Sequence, residues 1–129
     1  MRDFNMALKL NPNSSWAYSC RGLAHLEQGT PATAVEDFTQ VIRIEPRSES
    51  AYRNRAIAYL RMKNFSEALS DLNTDVEVNP NKLEAYQARA DVWCETEDYV
   101  NAIEDYTACL AIVSSRSKQP LTEQEPEQA

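Results

Sequence analysis

The chain has 129 residues, 43% of them apolar and 26% charged, which is enough for one soluble domain with a core. Its formal net charge of −7 argues against nonspecific binding to nucleic acid or to an anionic membrane, both of which need a basic surface. No apolar run is long enough to span a bilayer, and the opening MRDFNMALKL is too polar for a secretion signal, so a cytoplasmic location is expected.

Met1 to Asn11 reads as a helix ended by Pro12. Ser14 or Ser15 then caps a helix to about Glu27, and Gln28-Gly29-Thr30-Pro31 forms a turn. Pro31 opens the next helix, which closes near Ile44 before Pro46. Ser48 is expected to cap a helix to about Met62, and Ser66 lies in the first turn of one ending near Val78. Asn81 is expected to cap a helix to about Glu95, and Asp98 one to about Val113. Asn13 and Asn64 begin glycosylation-type triplets, but without a secretion signal they read as turn and cap residues. Ser114 to Ala129 is rich in Ser, Gln, Glu and Pro with one large aliphatic, Leu121, and is expected to be disordered.

These elements repeat. Pro12, Pro46 and Pro80 are 34 residues apart, as are Tyr18, Tyr52 and Tyr86, and Arg21, Arg55 and Arg89. Gly22, Ala56 and Ala90 keep the same step, and so do Ala34, Ala68 and Ala102. Asp3, Asp37, Asp71 and Asp105 form another column, Phe4, Phe38, Leu72 and Tyr106 a further one, and His25, Tyr59 and Trp93 a column of rings. A fixed period of this size signals stacked helix hairpins. The small column predicts a close approach of two helix backbones, and stability must come from stacking neighbours, since one hairpin cannot bury both faces.

The pattern of aromatic, small residue, ring, alanine, aromatic and proline resembles the tetratricopeptide repeat (TPR) family over Met1 to Val113. The resemblance implies an all-α fold, a right-handed superhelix of about three and a half repeats. The expected division is 1–13 as the second helix of a truncated repeat, repeats at 14–47, 48–81 and 82–113, and a polar tail at 114–129. An array seldom begins on a second helix, which points to a fragment, a short isoform or a piece of a longer array. No covering helix is visible after the last repeat, so Phe4, Leu8, Tyr106, Leu110 and Val113 are expected to be partly exposed, offering surfaces for self-association.

No catalytic constellation is found. His25 shares its column with Tyr59 and Trp93, and nothing pairs with it at catalytic spacing. Two glycines do not make a phosphate loop, and no metal site or cofactor is expected. Cys20, Cys94 and Cys109 show no metal-ligand spacing and read as reduced thiols, with Cys109 packed in the column of Ala7, Val41 and Asp75. The Arg and Asp columns could form a basic row for an acidic ligand, but the shared period favours an Arg–Asp bridge repeated in every hairpin.

The remaining face of the first helices carries the functional expectation. In proteins resembling this one it lines a concave groove that holds an extended peptide. Carried over, the groove shows Trp16 and Leu23 from the first hairpin and Arg53, Asn54, Ile57 and Arg61 from the second. Glu84, Gln87, Asp91 and Glu95 follow from the third. This gives apolar anchors, a basic middle and an acidic far end, suited to a protein or peptide partner with a carboxylate near Arg53. Some TPR domains clamp the C-terminal carboxylate of Hsp70 or Hsp90 with two lysines, two asparagines and an arginine. The corresponding residues here are Ser19, Leu23, Asn54, Glu84 and Ala88, of which only Asn54 matches, so that clamp is not expected. The chain therefore reads as a non-enzymatic interaction scaffold, or alternatively as a spacer or self-association segment of a longer array.

Overall fold

The structure, a computed structural model, describes residues 2–48 and 50–117, and the side chain of Arg2 is left aside. The described residues form seven helices and no strand: α1 (Arg2–Leu10), α2 (Ser15–Glu27), α3 (Pro31–Ile44), α4 (Ala51–Arg61), α5 (Phe65–Val78), α6 (Leu83–Glu95) and α7 (Tyr99–Ser117). Consecutive helices pack in pairs, α2 on α3, α4 on α5 and α6 on α7, and each pair stacks on the next.

The turns inside the pairs share one geometry. Gly29, Lys63 and Glu97, each 34 residues from the next, are the residues with positive φ among those described, at 79°, 61° and 61°. Each helix end is closed by an amide reaching back five residues: Thr30 to the His25 carbonyl (2.9 Å), Asn64 to Tyr59 (2.9 Å) and Asp98 to Trp93 (2.7 Å). This left-handed closure ties off the last carbonyls of the helix and turns the chain sharply back. Only Gly29 adopts it without a steric cost.

The helix starts partly differ from expectation. Ser14 Oγ accepts from the Ala17 amide at 3.2 Å, and Asp98 caps α7 by accepting from the Asn101 amide. Ser48 and Asn81 do not cap. The chain after each proline makes a further tight turn, with the Ser48 amide on the Glu45 carbonyl and the Lys82 amide on that of Asn79. The helices therefore begin only at Ala51 and Leu83. The tyrosine column secures these entries, since Tyr52 donates to the Pro46 carbonyl (3.1 Å) and Tyr86 to that of Pro80 (2.8 Å). α7 runs to Ser117, about one turn beyond the expected end at Val113, so 114–117 are helical and not irregular. The rest of the polar segment, 118–129, lies outside the described residues.

The small column lies where two helices meet. Gly22, Ala56 and Ala90 are buried, and a Cβ on Gly22 would sit 2.7 Å from Phe38 Cε1. One apolar cluster joins Leu26, Ala34, Phe38 and Ala58; another joins Ala56, Ala68, Leu72 and Val92. Both run across hairpin boundaries, as a stacked array requires.

The Arg–Asp bridge is present three times. Arg21 donates from Nε and Nη2 to both oxygens of Asp37 (3.0 and 2.7 Å). Arg55 does so to Asp71 (2.8 and 2.7 Å), and Arg89 to Asp105 (2.8 and 2.6 Å). The remaining Nη1 of each arginine reaches back to the preceding second helix, at Asn5, Thr39 or Asn73. Each guanidinium also stands over the tyrosine three residues before it, 5.7–5.9 Å from the ring centroid. The arginine row is thus used in ties within and between hairpins, and the carboxylate partner raises the affinity of each guanidinium for its proton.

Candidate functional site

The candidate surface runs along α2, α4 and α6, which touch one another in sequence. Trp16 stands exposed at the start of α2, its ring meeting Phe4 edge-on at a centroid distance of 6.0 Å. Leu23, two turns on, is also exposed. Ile57 is half-buried against the cluster of Leu26, Ala34, Phe38 and Ala58, so it closes the α2–α4 junction rather than standing free. Asn54 is half-buried beside it.

The two arginines expected in the middle of this surface are already engaged. Arg61 Nη1 donates to the Leu26 carbonyl at 2.6 Å, placing a cation on the negative end of α2. Arg53 turns inward, with only 18% of its side chain accessible, to face Asp75 on α5 with Nη1 3.7 Å from Oδ2. That distance leaves Arg53 Nη1 and Asp75 Oδ2 buried without a hydrogen bond. Burial pushes the Asp75 carboxyl upward, opposed by a hydrogen bond from Asn79 Nδ2 (2.7 Å) and by the charge of Arg53. Of the expected basic middle, Arg53 is thus paired with a carboxylate, Arg61 remains exposed and charged, and Glu84, Gln87, Asp91 and Glu95 stay exposed on α6.

Sequence reasoning missed Asp75 as the partner of Arg53. The signal was available: Asp75 stands in a column otherwise held by Ala7, Val41 and Cys109, and an acid in an apolar column calls for a cation. Cys109 is half-buried as expected, near the Leu83 carbonyl, and burial pushes its thiol up. His25 is packed, with Nδ1 3.1 Å from Thr30 Oγ1 and Nε2 3.8 Å from Asp37.

At the ends, where α1 packs on α2, Leu8 is buried, and Met6 and Leu10 are exposed instead. On α7 the exposure is larger than expected: Tyr99, Val100, Ile103, Tyr106, Leu110 and Val113 all reach solvent. Among the described residues no group of three or more His, Cys, Asp or Glu gathers as a metal site, and no helix is long and apolar enough to cross a membrane.

Stacked helix pairs joined by left-handed turns, with one arginine bridge per period, define an α-helical repeat protein. Two tetratricopeptide repeat family models match it, one over residues 25–92 and one over 4–36. The chain belongs to the tetratricopeptide repeat family, and its fold is the TPR superhelix. No curated protein matches it by sequence. Among solved structures, MamA is similar at 22% identity, with a TM-score of 0.80 over 86% of this chain and 65% of that one. The TPR2AB domain of yeast Sti1, in complex with pHSP90, is 27% identical, with a TM-score of 0.76 over 81% of this chain and 41% of that one. The first TPR of Spaghetti (RPAP3), bound to the HSP90 peptide SRMEEVD, is 28% identical, with a TM-score of 0.72 over 76% and 78% of the two chains. The chain thus spans about 65% of the length of the MamA chain it matches.

Proposed function

We propose that this protein is a non-enzymatic scaffold that seats a segment of a partner protein across the α2–α4–α6 face. The observation that carries this reading is the pair of large apolar side chains, Trp16 and Leu23, held out to solvent on one face of α2. Buried elsewhere in the array, such side chains would contribute about 1.5–3 kcal/mol each. Left exposed on a rigid helix, they are ready anchors for a ligand. Two similar structures were solved with HSP90 ligands, which supports peptide binding as the mode. The carboxylate clamp is not part of the proposal, since Ser19, Leu23, Glu84 and Ala88 stand where it needs basic or amide groups. Three free cysteines fit a reducing compartment such as the cytosol.

The test is selection of binders from a random peptide library, followed by mapping of their amide shift changes on the labelled protein. Bound peptides should shift residues around Trp16, Leu23 and Ile57, and Leu23→Glu should abolish binding while leaving the fold intact. Peptides that map elsewhere, or that bind the Leu23→Glu variant as well as the wild type, would refute the reading. Arg53→Glu is a poor probe, because it would set a second carboxylate against buried Asp75.

The exposed side of α7 favours a second reading, self-association or stacking on further repeats. Tyr99, Ile103, Tyr106, Leu110 and Val113 follow one another at steps of four, three, four and three, the spacing of an apolar seam. Light scattering over a concentration series separates the two readings: a monomer unchanged by Leu110→Glu supports the groove alone, and a dimer abolished by it supports the seam.

A further inference from the structure

Between the ends of α4 and α6 lies a cavity of about 410 Å³. Leu60, Phe65 and Val92 form its apolar wall, and Asp91 and Glu95 bring two carboxylates to it. The array contains its own comparison for this place, one period earlier. At the α2–α4 junction Ile57 packs into the core beside Leu26 and Phe38, and the Arg61 guanidinium crosses to the Leu26 carbonyl at 2.6 Å. Stepping on by 34 residues replaces Ile57 by Asp91 and Arg61 by Glu95. The aliphatic filler and the cation are lost together, and the junction stands open. Among the described residues the Leu60 carbonyl, counterpart of Leu26, accepts backbone amides of its own turn and no side-chain donor.

The carboxylate of Asp91 is held from behind. Tyr106 on α7 donates to its Oδ1 at 2.9 Å, and Oδ2 has no partner among the described residues. Glu95, exposed on the next turn, likewise has none. Two acids and the carbonyl end of a helix converge on a cavity with an aromatic wall, and all three favour a cation. A planar guanidinium can pair with a carboxylate through two parallel bonds, while its stem lies on apolar surface.

We infer that this cavity is the seat for an arginine side chain of a partner peptide, held as Arg61 is held in the preceding junction. The stem lies against Leu60 and Phe65, and the guanidinium faces Asp91, Glu95 and the end of α4. The seat rests on the groove reading for the peptide that carries the arginine, and it reverses the ligand polarity expected from the sequence, from acidic to basic. Lys63 also borders the cavity, and its positive charge there disfavours a second cation.

The experiment is an amide-shift titration of the full chain with N-acetyl-arginine methylamide, and with the citrulline compound, which has the same shape but no charge. The arginine compound should shift residues 60–65 and 91–95 saturably, and the citrulline compound should not. Glu95→Gln should weaken the effect at least about threefold, the scale of one exposed ion pair. Glu95→Arg, which restores the cation of the preceding junction, should abolish it, and Lys63→Ala should strengthen it. Equal shifts by both compounds, or shifts spread over the acidic surface that survive Glu95→Gln and Glu95→Arg, would overturn the inference. Library peptides sensitive to Leu23→Glu but lacking arginine, with the arginine compound silent, would sink the seat and leave the groove. Shifts at the seat with no selected peptide would sink the groove and leave the seat.

Discussion

Replacing Gly22 by alanine is a sharp test of how this array is packed. On an open helix surface the change should stabilise, since alanine is favoured over glycine in a helix interior by about 1 kcal/mol. Here the new Cβ would lie 2.7, 2.9 and 3.1 Å from three atoms of the Phe38 ring. That ring is 1% exposed and enclosed by Leu26, Ala34 and Ala58, so it has nowhere to swing. Overpacking of this kind costs about 1–3 kcal/mol, and the balance is a net loss near ~1 kcal/mol, a fall in melting temperature of about 3–5 °C. The second hairpin shows the cure, because there Ala56 and Leu72 occupy the same two positions and both are fully buried. Phe38→Leu alone should leave a void, but combined with Gly22→Ala it reproduces the Ala56–Leu72 arrangement. Urea unfolding of the wild type, both single variants and the double variant should therefore show a coupling of at least about 1 kcal/mol, where independent sites add within about 0.5 kcal/mol. A more stable Gly22→Ala variant with additive effects would refute the packing argument.

Other expectations follow from the same ties. Asp71→Ala strips both acceptors from the Arg55 guanidinium and should cost about 3 kcal/mol, the low end for a broken buried pair because Arg55 still reaches water. Asp3→Ala, in the same column but exposed, should stay within about 0.5 kcal/mol, and equal losses at the two sites in denaturant unfolding would discard the bridge as the cause. Burial raises the Asp75 carboxyl, so just above the usual aspartate range the native chain holds a proton that the unfolded chain has released. The contribution of Asp75 to stability therefore falls as pH rises through that interval. The stability of the wild type relative to Asp75→Asn should accordingly decline from about pH 4 upward, and a constant difference would contradict this. Lys63 occupies the left-handed position that Gly29 fills one period earlier, so Lys63→Gly should gain about 0.5–1 kcal/mol, read as a higher midpoint in thermal unfolding.

Much of this protein was legible because a repeat displays each position several times. Recurrence of arginine with aspartate at one period predicted a bridge before any distance was known, and the column of Gly22, Ala56 and Ala90 predicted a close helix contact. The candidate site was less legible, because its features lie in departures from the columns. Arg53 looked like a free groove cation until α5 set Asp75 opposite it, and Arg61 until the end of α2 came within hydrogen-bond reach. A column records which residue type stands at a helix position, and an isolated column does not say what the neighbouring hairpin brings to meet it.

The sequence by itself determined the helical period, the hairpin unit, the family and the intrahairpin bridges, since all of these are set by spacing along the chain. Tertiary structure alone decided which charged side chains are spent inside the array and which face solvent. It also decided that the α2–α4 junction is closed by Ile57 and Arg61 while the α4–α6 junction stands open between two acids. The physical reason is that a side chain's chemistry depends on the groups that desolvate and neutralise it, and in a stacked array those groups belong to the next repeat.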